Sequence, residues 1–228
     1  MITAEDRERV SGTDGRPAAS VECLRLLLVD DHQAVRRGLR ELLEDQPDFE
    51  VLASAATAEE ALGVAERTIP DVVVVDYQLG GRSGLWLSRK LKGLSRPPIV
   101  VIYSAYADAL LSAAAVVADA DALLSKAGLG SELCDAIRSV AAGRLIMPVL
   151  PWQHGEVIRR RLDGEQQAIY GMLLAGIAPE EVAKTLGISA SDLESRRCEM
   201  LRALEGFDAD LLNAQRDRQP LALVARID

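Results

Sequence analysis

Residues 71–76 have the sequence DVVVVD, four consecutive valines closed by an aspartate. A continuous apolar run of this length is typical of a strand that is buried on both faces of a parallel sheet. Four similar runs occur along the chain: LRLLLV (24–29), EVLASA (50–55), PIVVIY (98–103) and DALLS (121–125). Between them, apolar residues recur three and four positions apart, which is the helical period. The pattern predicts an α/β fold with a doubly wound, five-stranded parallel sheet.

In a sheet of this kind the functional site lies at the carboxyl ends of the strands. The first predicted strand ends in Asp30 and Asp31, and the third ends in Asp76. The fourth is followed by Ser104, and the fifth leads to Lys126. Three carboxylates that converge at one edge repel each other unless a cation offsets their charge. A hard divalent ion with oxygen ligands fits, so the sequence predicts a Mg²⁺ site.

With the metal bound, Asp76 can act as a nucleophile towards a phosphoryl group. Lys126 can pair with one transferred oxygen, and the Ser104 hydroxyl can donate to another. A single aspartate after a strand is more commonly a helix cap or a turn residue. We assign four other aspartates to that ordinary class: Asp45, Asp48, Asp71 and Asp108.

Four segments resemble, in order and spacing, the successive motifs of bacterial two-component receiver domains, which have a flavodoxin-like fold. They are LLLVDDHQAVRRGLRELL, PDVVVVDYQLGGRSGLWL, VIYSAY and ADALLSKAG, within about residues 24–145. The resemblance implies that Asp76 accepts a phosphoryl group from a histidine kinase. It also implies that Asp30, Asp31, Asp76 and the backbone carbonyl of Gln78 hold Mg²⁺, and that Ser104 and Lys126 bind the phosphoryl group.

Two departures from the receiver pattern concern the residues around this site. Leu79–Gly80 stands where the family usually has Met–Pro, and Leu123 stands where it has a switch aromatic. Aspartyl-phosphate phosphatases of other folds carry a second aspartate two residues after the nucleophile. That position is Gln78 here, so we do not expect an enzyme.

Residues 162–204 resemble the helix-turn-helix domain of LuxR/NarL-type regulators through the core MLLAGIAPEEVAKTLGIS. Val182, Ala183 and Leu186 are expected to bury one helix, Gly187 to make the turn, and Ser189 to cap the next. In this family the second helix, here about 190–204, lies in the major groove. On that helix the candidate DNA contacts are Ser195, Arg196, Arg197 and Arg202.

The charge of this small all-α domain is less typical of a DNA reader. Residues 157–205 contain seven basic and eight acidic residues, whereas DNA affinity normally depends on phosphate neutralisation. Glu194 stands where many family members have Lys, and Asp192 where they have Thr. Two functions are therefore open. The first is a homodimeric transcription regulator that binds promoter DNA, and the second is a receiver that signals through protein contacts with a degenerate helix-turn-helix domain.

The remaining expectations concern the division into domains, the net charge and the cellular location. The 228 residues divide into a flexible tail (1–22), a receiver domain (23–145), a linker (146–156), a helix-turn-helix domain (157–206) and a C-terminal extension (207–228). The net charge of −9 argues against a protein that coats nucleic acid non-specifically. Three scattered cysteines, no apolar stretch long enough for a membrane and no signal-peptide segment favour a cytoplasmic protein.

Overall fold

The computed structural model describes residues 23–105, 107–147 and 158–205. The predicted tail (1–22), most of the predicted linker (148–156) and the C-terminal extension (207–228) lie outside these ranges. Within the described ranges, no helix combines the length and the apolar character that crossing a membrane requires.

The described elements alternate as the sequence predicts. The strands are β1 (Leu24–Val29), β2 (Phe49–Ala55), β3 (Val72–Val75), β4 (Ile99–Ser104) and β5 (Ala122–Ser125). The helices between and after them are α1 (Gln33–Glu44), α2 (Ala58–Thr68), α3 (Gly84–Lys92), α4 (Ala109–Val117) and α5 (Gly130–Ala141). We call this part the α/β domain. Three further helices, α6 (Gly164–Leu174), α7 (Pro179–Leu186) and α8 (Ala190–Glu205), form the helical domain.

The five strands form one parallel sheet in the order β2-β1-β3-β4-β5. The chain moves from β1 outward to β2 and then returns past β1 to β3, so the topology switches direction between β1 and β3. Ligands in open α/β sheets bind at such a switch point. Ile146, which the sequence assigns to the linker, forms an isolated parallel bridge with Ala122 beside β5.

Helices cover both faces of the sheet, which explains why the strands are continuously apolar. Alternate residues of a strand point to opposite faces. Leu26 and Leu28 accordingly belong to the core beneath α1 and α5, whereas Leu27 and Val29 belong to the core beneath α2, α3 and α4. The predicted fold class, a flavodoxin-like doubly wound sheet followed by a small helical domain, is confirmed.

Local capping fixes where several helices begin. The side chains of Thr57, Ser83 and Asp108 each accept a hydrogen bond from the third residue of the following helix. Asp163 and Gln166 form a reciprocal capping box at the start of α6. Such caps satisfy backbone N–H groups that have no partner within the helix. Asp108 is therefore the helix cap that the sequence suggested.

The helical domain has the predicted helix-turn-helix arrangement and packs directly on the α/β domain. Gly187 ends α7 with a φ of 65°, the left-handed conformation that glycine adopts without steric cost. Helix α4 lies against both α6 and α8. Because it is covered by the sheet on one side and by these helices on the other, every residue from Leu111 to Val117 is buried. This double coverage accounts for its sequence, ALLSAAAVV, which contains no charged residue.

Candidate functional site

The acidic pocket lies at the carboxyl edge of β1, β3 and β5. Asp30 directly follows β1, Asp76 directly follows β3, and their carboxylates are almost fully buried. Lys126, which follows β5, places its Nζ 2.6 Å from Asp30 Oδ2 and 2.7 Å from Asp76 Oδ2. The Lys126 ammonium group therefore joins two carboxylates from distant parts of the chain, since Lys126 and Asp30 are 96 positions apart.

Backbone hydrogen bonds hold these three side chains in place. The Asp76 amide donates to the Val29 carbonyl over 2.8 Å, which ties the end of β3 to the end of β1. The Lys126 amide donates to the Ser104 carbonyl over 2.7 Å. Ser104 itself is buried at the end of β4. The structure therefore brings Asp30, Asp76, Ser104 and Lys126 to one edge, as the parallel strands predicted.

Burial and charge both act on the protonation of the pocket. Burial raises the pKa of the Asp76 carboxyl above its ordinary value, although the hydrogen bond from Lys126 opposes the shift. For Lys126, burial favours loss of the proton, but the hydrogen bonds to Asp30 and Asp76 outweigh it and raise the pKa. Lys126 thus keeps its positive charge, and it is the cation that offsets the paired carboxylates.

The remaining predicted metal ligands lie at the mouth of the pocket. Asp31 is partly exposed and pairs with His32, whose Nδ1 lies 2.6 Å from Asp31 Oδ1. Ligand atoms of Asp30, Asp31 and His32 all lie within 4.8 Å of one another. The Gln78 amide donates to Asp76 Oδ1 over 3.4 Å, so the Gln78 backbone runs beside the carboxylate. Two buried carboxylates with a third at the opening form a donor set of oxygen atoms that fits a hard divalent cation.

His32 and Gly84 contribute to this site, and the sequence analysis did not single them out. The His32 amide donates to Asp30 Oδ1 over 2.8 Å and fixes that carboxylate. Gly84, the first residue of α3, packs so closely that an added Cβ would lie 2.3 Å from the Asp76 carbonyl oxygen. The position of His32 immediately after the two aspartates is a signal that could have identified it, whereas the close approach of α3 has no local signature.

The predicted DNA contacts on α8 have different environments. Ser195 and Arg202 are exposed, and the Ser195 hydroxyl donates to the Ser191 carbonyl within the helix. Arg196 is half-buried and pairs with Glu165 of α6. Arg197 is buried and donates from Nε to the Val117 carbonyl of α4 over 2.9 Å. Arg197 therefore faces the α/β domain rather than solvent, and in this arrangement it is not available to a phosphate.

Glu194 also belongs to the boundary between the two domains. One of its carboxylate oxygens accepts from Arg89 of α3, and the other lies 2.9 Å from Arg197 Nη1. Arg89 also donates to the Cys198 thiol over 2.8 Å. We call Arg89, Glu194 and Arg197 the Glu194 cluster. Burial raises the pKa of the Glu194 carboxyl, but hydrogen bonding to Arg89 and the charge of Arg197 outweigh it, so the net shift is downward.

The chain is similar to known proteins over its α/β domain and, in part, over its helical domain. The response regulator receiver domain family matches residues 26–138. The transcriptional regulatory protein LiaR of Bacillus subtilis is 36% identical over 121 residues, which is 53% of this chain and 57% of that protein. The DNA-binding transcriptional activator DevR/DosR of Mycobacterium tuberculosis is 28% identical over 79% of this chain and 88% of its own length.

Solved structures agree with these sequence relatives. A two-component response regulator of the LuxR family from Aurantimonas sp. is 34% identical and superposes with a TM-score of 0.53. The match covers 55% of this chain and 89% of that one. The fold and residues 26–138 are those of a receiver domain. The chain belongs to the two-component response regulators of the LuxR/NarL type.

Proposed function

We propose that the protein accepts a phosphoryl group on Asp76 from a histidine kinase and thereby regulates transcription through its helical domain. The observation that carries this proposal is the convergence of Asp30, Asp76 and Lys126, with Lys126 Nζ within 2.7 Å of both carboxylates. In this proposal the functional units are a receiver domain at 23–145 and a helix-turn-helix domain at 157–206.

The proposed chemistry is phosphoryl transfer to a carboxylate. An Asp76 carboxylate oxygen attacks the phosphorus of the kinase phosphohistidine, a P–O bond forms, and the P–N bond breaks as the imidazole leaves. Asp30, Asp31, Asp76 and the Gln78 carbonyl would hold Mg²⁺, which when bound offsets charge on the transferred oxygens. Lys126, released from its pairing with Asp76, can then hold one phosphoryl oxygen, and the Ser104 hydroxyl can donate to another.

A continuous set of contacts leads from this pocket to the helical domain. Ser104 ends β4, and α4 follows it after a short loop. Leu123 of β5 is buried in the same core as α4, and α4 packs against α8. A change at Ser104 that displaces α4 would therefore disturb the hydrogen bond between Val117 and Arg197. We infer that phosphorylation favours release of α8 from the α/β domain.

Transcriptional regulation is favoured over a receiver that acts only through protein contacts. LiaR is named as a transcriptional regulatory protein, and DevR/DosR is named as a DNA-binding transcriptional activator. Glu194 and the near-neutral charge of the helical domain are the two features that favour a degenerate DNA reader. The Glu194 carboxylate is committed to Arg89 and Arg197, so its presence has an explanation within the protein.

Phosphoacceptance is tested by labelling the full-length protein with radioactive acetyl phosphate. We expect labelling that requires Mg²⁺, is lost in Asp76→Asn and survives in Asp71→Asn, which changes an aspartate at the opposite end of β3. Labelling of Asp76→Asn equal to that of the wild type would refute the assigned nucleophile.

DNA binding is tested separately, by selecting sequences from a fragment library with the phosphorylated protein and measuring affinity at several salt concentrations. We expect affinity to fall steeply with salt, and Arg196→Ala combined with Arg202→Ala to flatten that slope. Arg197→Ala is a poor first choice because it has two opposing effects. It removes a candidate DNA contact, and it also removes the hydrogen bond that holds α8 against the α/β domain. No selection of any sequence by the phosphorylated protein would count against the proposed transcriptional role.

A further inference from the structure

A cleft of about 600 Å³ opens between the two domains, beside the loop that joins β3 to α3. Tyr77, Arg82 and Trp86 line it from the α/β domain, whereas Leu201, Arg202 and Glu205 line it from α8. Its volume lies in the range of cavities that hold small organic ligands. Tyr77 directly follows Asp76, so the cleft is adjacent to the acidic pocket but does not share the lining residues proposed to hold the metal.

The charges of the cleft are unbalanced. Three guanidinium groups line it, those of Arg82, Arg89 and Arg202, and Glu205 is the one carboxylate in the described lining. That carboxylate already accepts a hydrogen bond from the Ser83 hydroxyl over 3.1 Å. Glu194 pairs with Arg89 from outside this lining, but it also pairs with Arg197, so a positive excess remains and favours an anion.

Two of the arginines in the lining have contacts among the described residues that are incomplete or loose. Arg89 is mostly buried, and its Nε has no hydrogen-bond acceptor among the described residues. A buried donor without an acceptor is costly and is usually satisfied by water or by a ligand. Arg82 pairs only loosely with Glu59, at 3.9 Å, and its side chain is 61% exposed. Its guanidinium lies beside the Trp86 ring and already lines the cleft, so it can donate to an anion without leaving that ring.

The apolar part of the lining is aromatic. Trp86 is half-buried, and its ring already attracts cations, with the Arg82 guanidinium 5.2 Å and the Lys90 ammonium 5.8 Å from its centroid. Tyr77 and Leu201 add apolar surface. A flat apolar body can pack on these side chains while a single acidic group meets the arginines.

We propose that this cleft binds a small aromatic carboxylic acid. Such a ligand would contact α3 and α8 together, so its binding would favour the arrangement in which α8 is held against the α/β domain. By linkage, the ligand and release of α8 would then oppose each other. This last consequence rests on the proposed function, whereas binding to the cleft does not.

The test uses 1-naphthoate as the probe and the uncharged 1-naphthalenemethanol as its matched control, with unphosphorylated full-length protein. The chain has two tryptophans, Trp86 and Trp152, whose indole N–H signals in a nitrogen-15 correlation spectrum are assigned with Trp86→Phe. We expect 1-naphthoate to shift the Trp86 signal, and calorimetry to show at least tenfold weaker binding of the alcohol.

Three substitutions locate the site and differ in the sign of their effect. Arg82→Gln and Arg202→Gln should each weaken 1-naphthoate binding by about tenfold, the size expected for loss of one charged hydrogen bond. Glu205→Gln should strengthen it, because a like charge is removed. Arg37→Gln, an exposed arginine on α1, should leave the affinity unchanged.

Equal affinity for the acid and the alcohol, unchanged affinity in both arginine variants, or a shift of the Trp152 signal alone would each overturn the proposal. Because these measurements use neither DNA nor phosphorylation, they are independent of the experiments that test the proposed function.

Discussion

Arg197 Nε donates to the backbone carbonyl of Val117 over 2.9 Å, and the two residues are 80 positions apart. This bond joins α8, the helix expected to contact DNA, to α4, which packs beside β5 in the α/β domain. Arg197 is itself buried and also pairs with Glu194. Release of α8 therefore requires Arg197 to leave the Val117 carbonyl and Arg89 to leave the Glu194 carboxylate. The pair of Glu194 with Arg197 lies within α8 and can persist. Water can replace the lost partners, so we expect the net cost of this release to be modest.

Glu194→Gln should shift the protein towards the released arrangement. The change removes the charge that pairs with Arg89 and Arg197 while keeping nearly the same shape. Because the Glu194 side chain is 48% exposed, we expect a DNA affinity only about two- to fivefold higher, consistent with a partly screened ion pair. Small-angle scattering should show a larger radius of gyration.

Glu41→Gln is the matched control, since Glu41 forms an exposed ion pair with Arg37 on α1. If Glu194→Gln and Glu41→Gln give the same scattering and the same affinity as the wild type, the Glu194 cluster does not hold the domains together.

Gly84→Ala should disturb the acidic pocket without changing any charged residue. The added Cβ would lie 2.3 Å from the Asp76 carbonyl oxygen, so α3 must move away from the end of β3. We expect the free energy of unfolding to fall by about 1–3 kcal/mol, as for other overpacked sites, and labelling by acetyl phosphate to slow. Urea titration and a labelling time course measure the two effects.

Gly171→Ala supplies the comparison for this substitution. Gly171 lies within α6, and nothing in the described structure would meet its Cβ within 4 Å. Alanine there should raise stability by about 0.5–1 kcal/mol because it reduces the freedom of the unfolded chain. Loss of stability in both variants to the same extent would rule out a specific contact at Gly84.

Lys126→Ala should make stability depend on a divalent cation. Without the ammonium group, the buried carboxylates of Asp30 and Asp76 lose the one lysine or arginine that pairs with them among the described residues. We expect the free energy of unfolding in EDTA to fall by about 2–4 kcal/mol, near the lower end for a broken buried pair because Lys126 is partly exposed. Millimolar Mg²⁺ should recover most of the loss.

The control is Lys184→Ala, which changes an exposed lysine on α7. The free energy of unfolding of this variant should change with neither EDTA nor Mg²⁺. Chemical denaturation in the two buffers checks both variants. A Lys126→Ala protein as stable in EDTA as the wild type would show that the two carboxylates do not need its charge.

Asp48 should contribute stability that is lost in acid. Its carboxylate accepts two hydrogen bonds from Arg138, at 2.8 Å and 2.9 Å, and the hydrogen bonding from Arg138 lowers the pKa of the Asp48 carboxyl. A carboxyl whose pKa is lower in the folded state stabilises the fold above its ordinary pKa of about 3.9. This stability is lost as the pH falls through the lower, folded value.

The corresponding measurement is the difference in the free energy of unfolding between the wild type and Asp48→Asn, obtained from urea titrations from pH 7 to pH 3. We expect about 1 kcal/mol at neutral pH, discounted because Arg138 is 38% exposed, and a decline towards zero below about pH 4. Asp45→Asn, at an exposed aspartate without an ion pair to the described residues, is the control for the loss of a nearby negative charge. A constant difference for Asp48→Asn would contradict the assignment.

The sequence by itself determined the α/β domain and most of its acidic pocket. Each strand is a local apolar run, and each functional side chain stands directly after one of them, so placing Asp30, Asp76, Ser104 and Lys126 together required only the rule that parallel strands end at one edge. The helix-turn-helix was predictable for a similar reason, because Gly176 and Gly187 interrupt helical periods within a short segment.

Only the tertiary structure decided how the two domains meet. The pairings of Arg89 with Glu194, Arg197 with Val117 and Ser83 with Glu205 join residues 80 to 122 positions apart. No periodicity records them, since a charged residue on a helix has the same local pattern whether it faces water, DNA or another domain. For that reason the sequence could name Arg197 as a possible DNA contact and Glu194 as an obstacle to one. The structure places both in the contact between the domains instead.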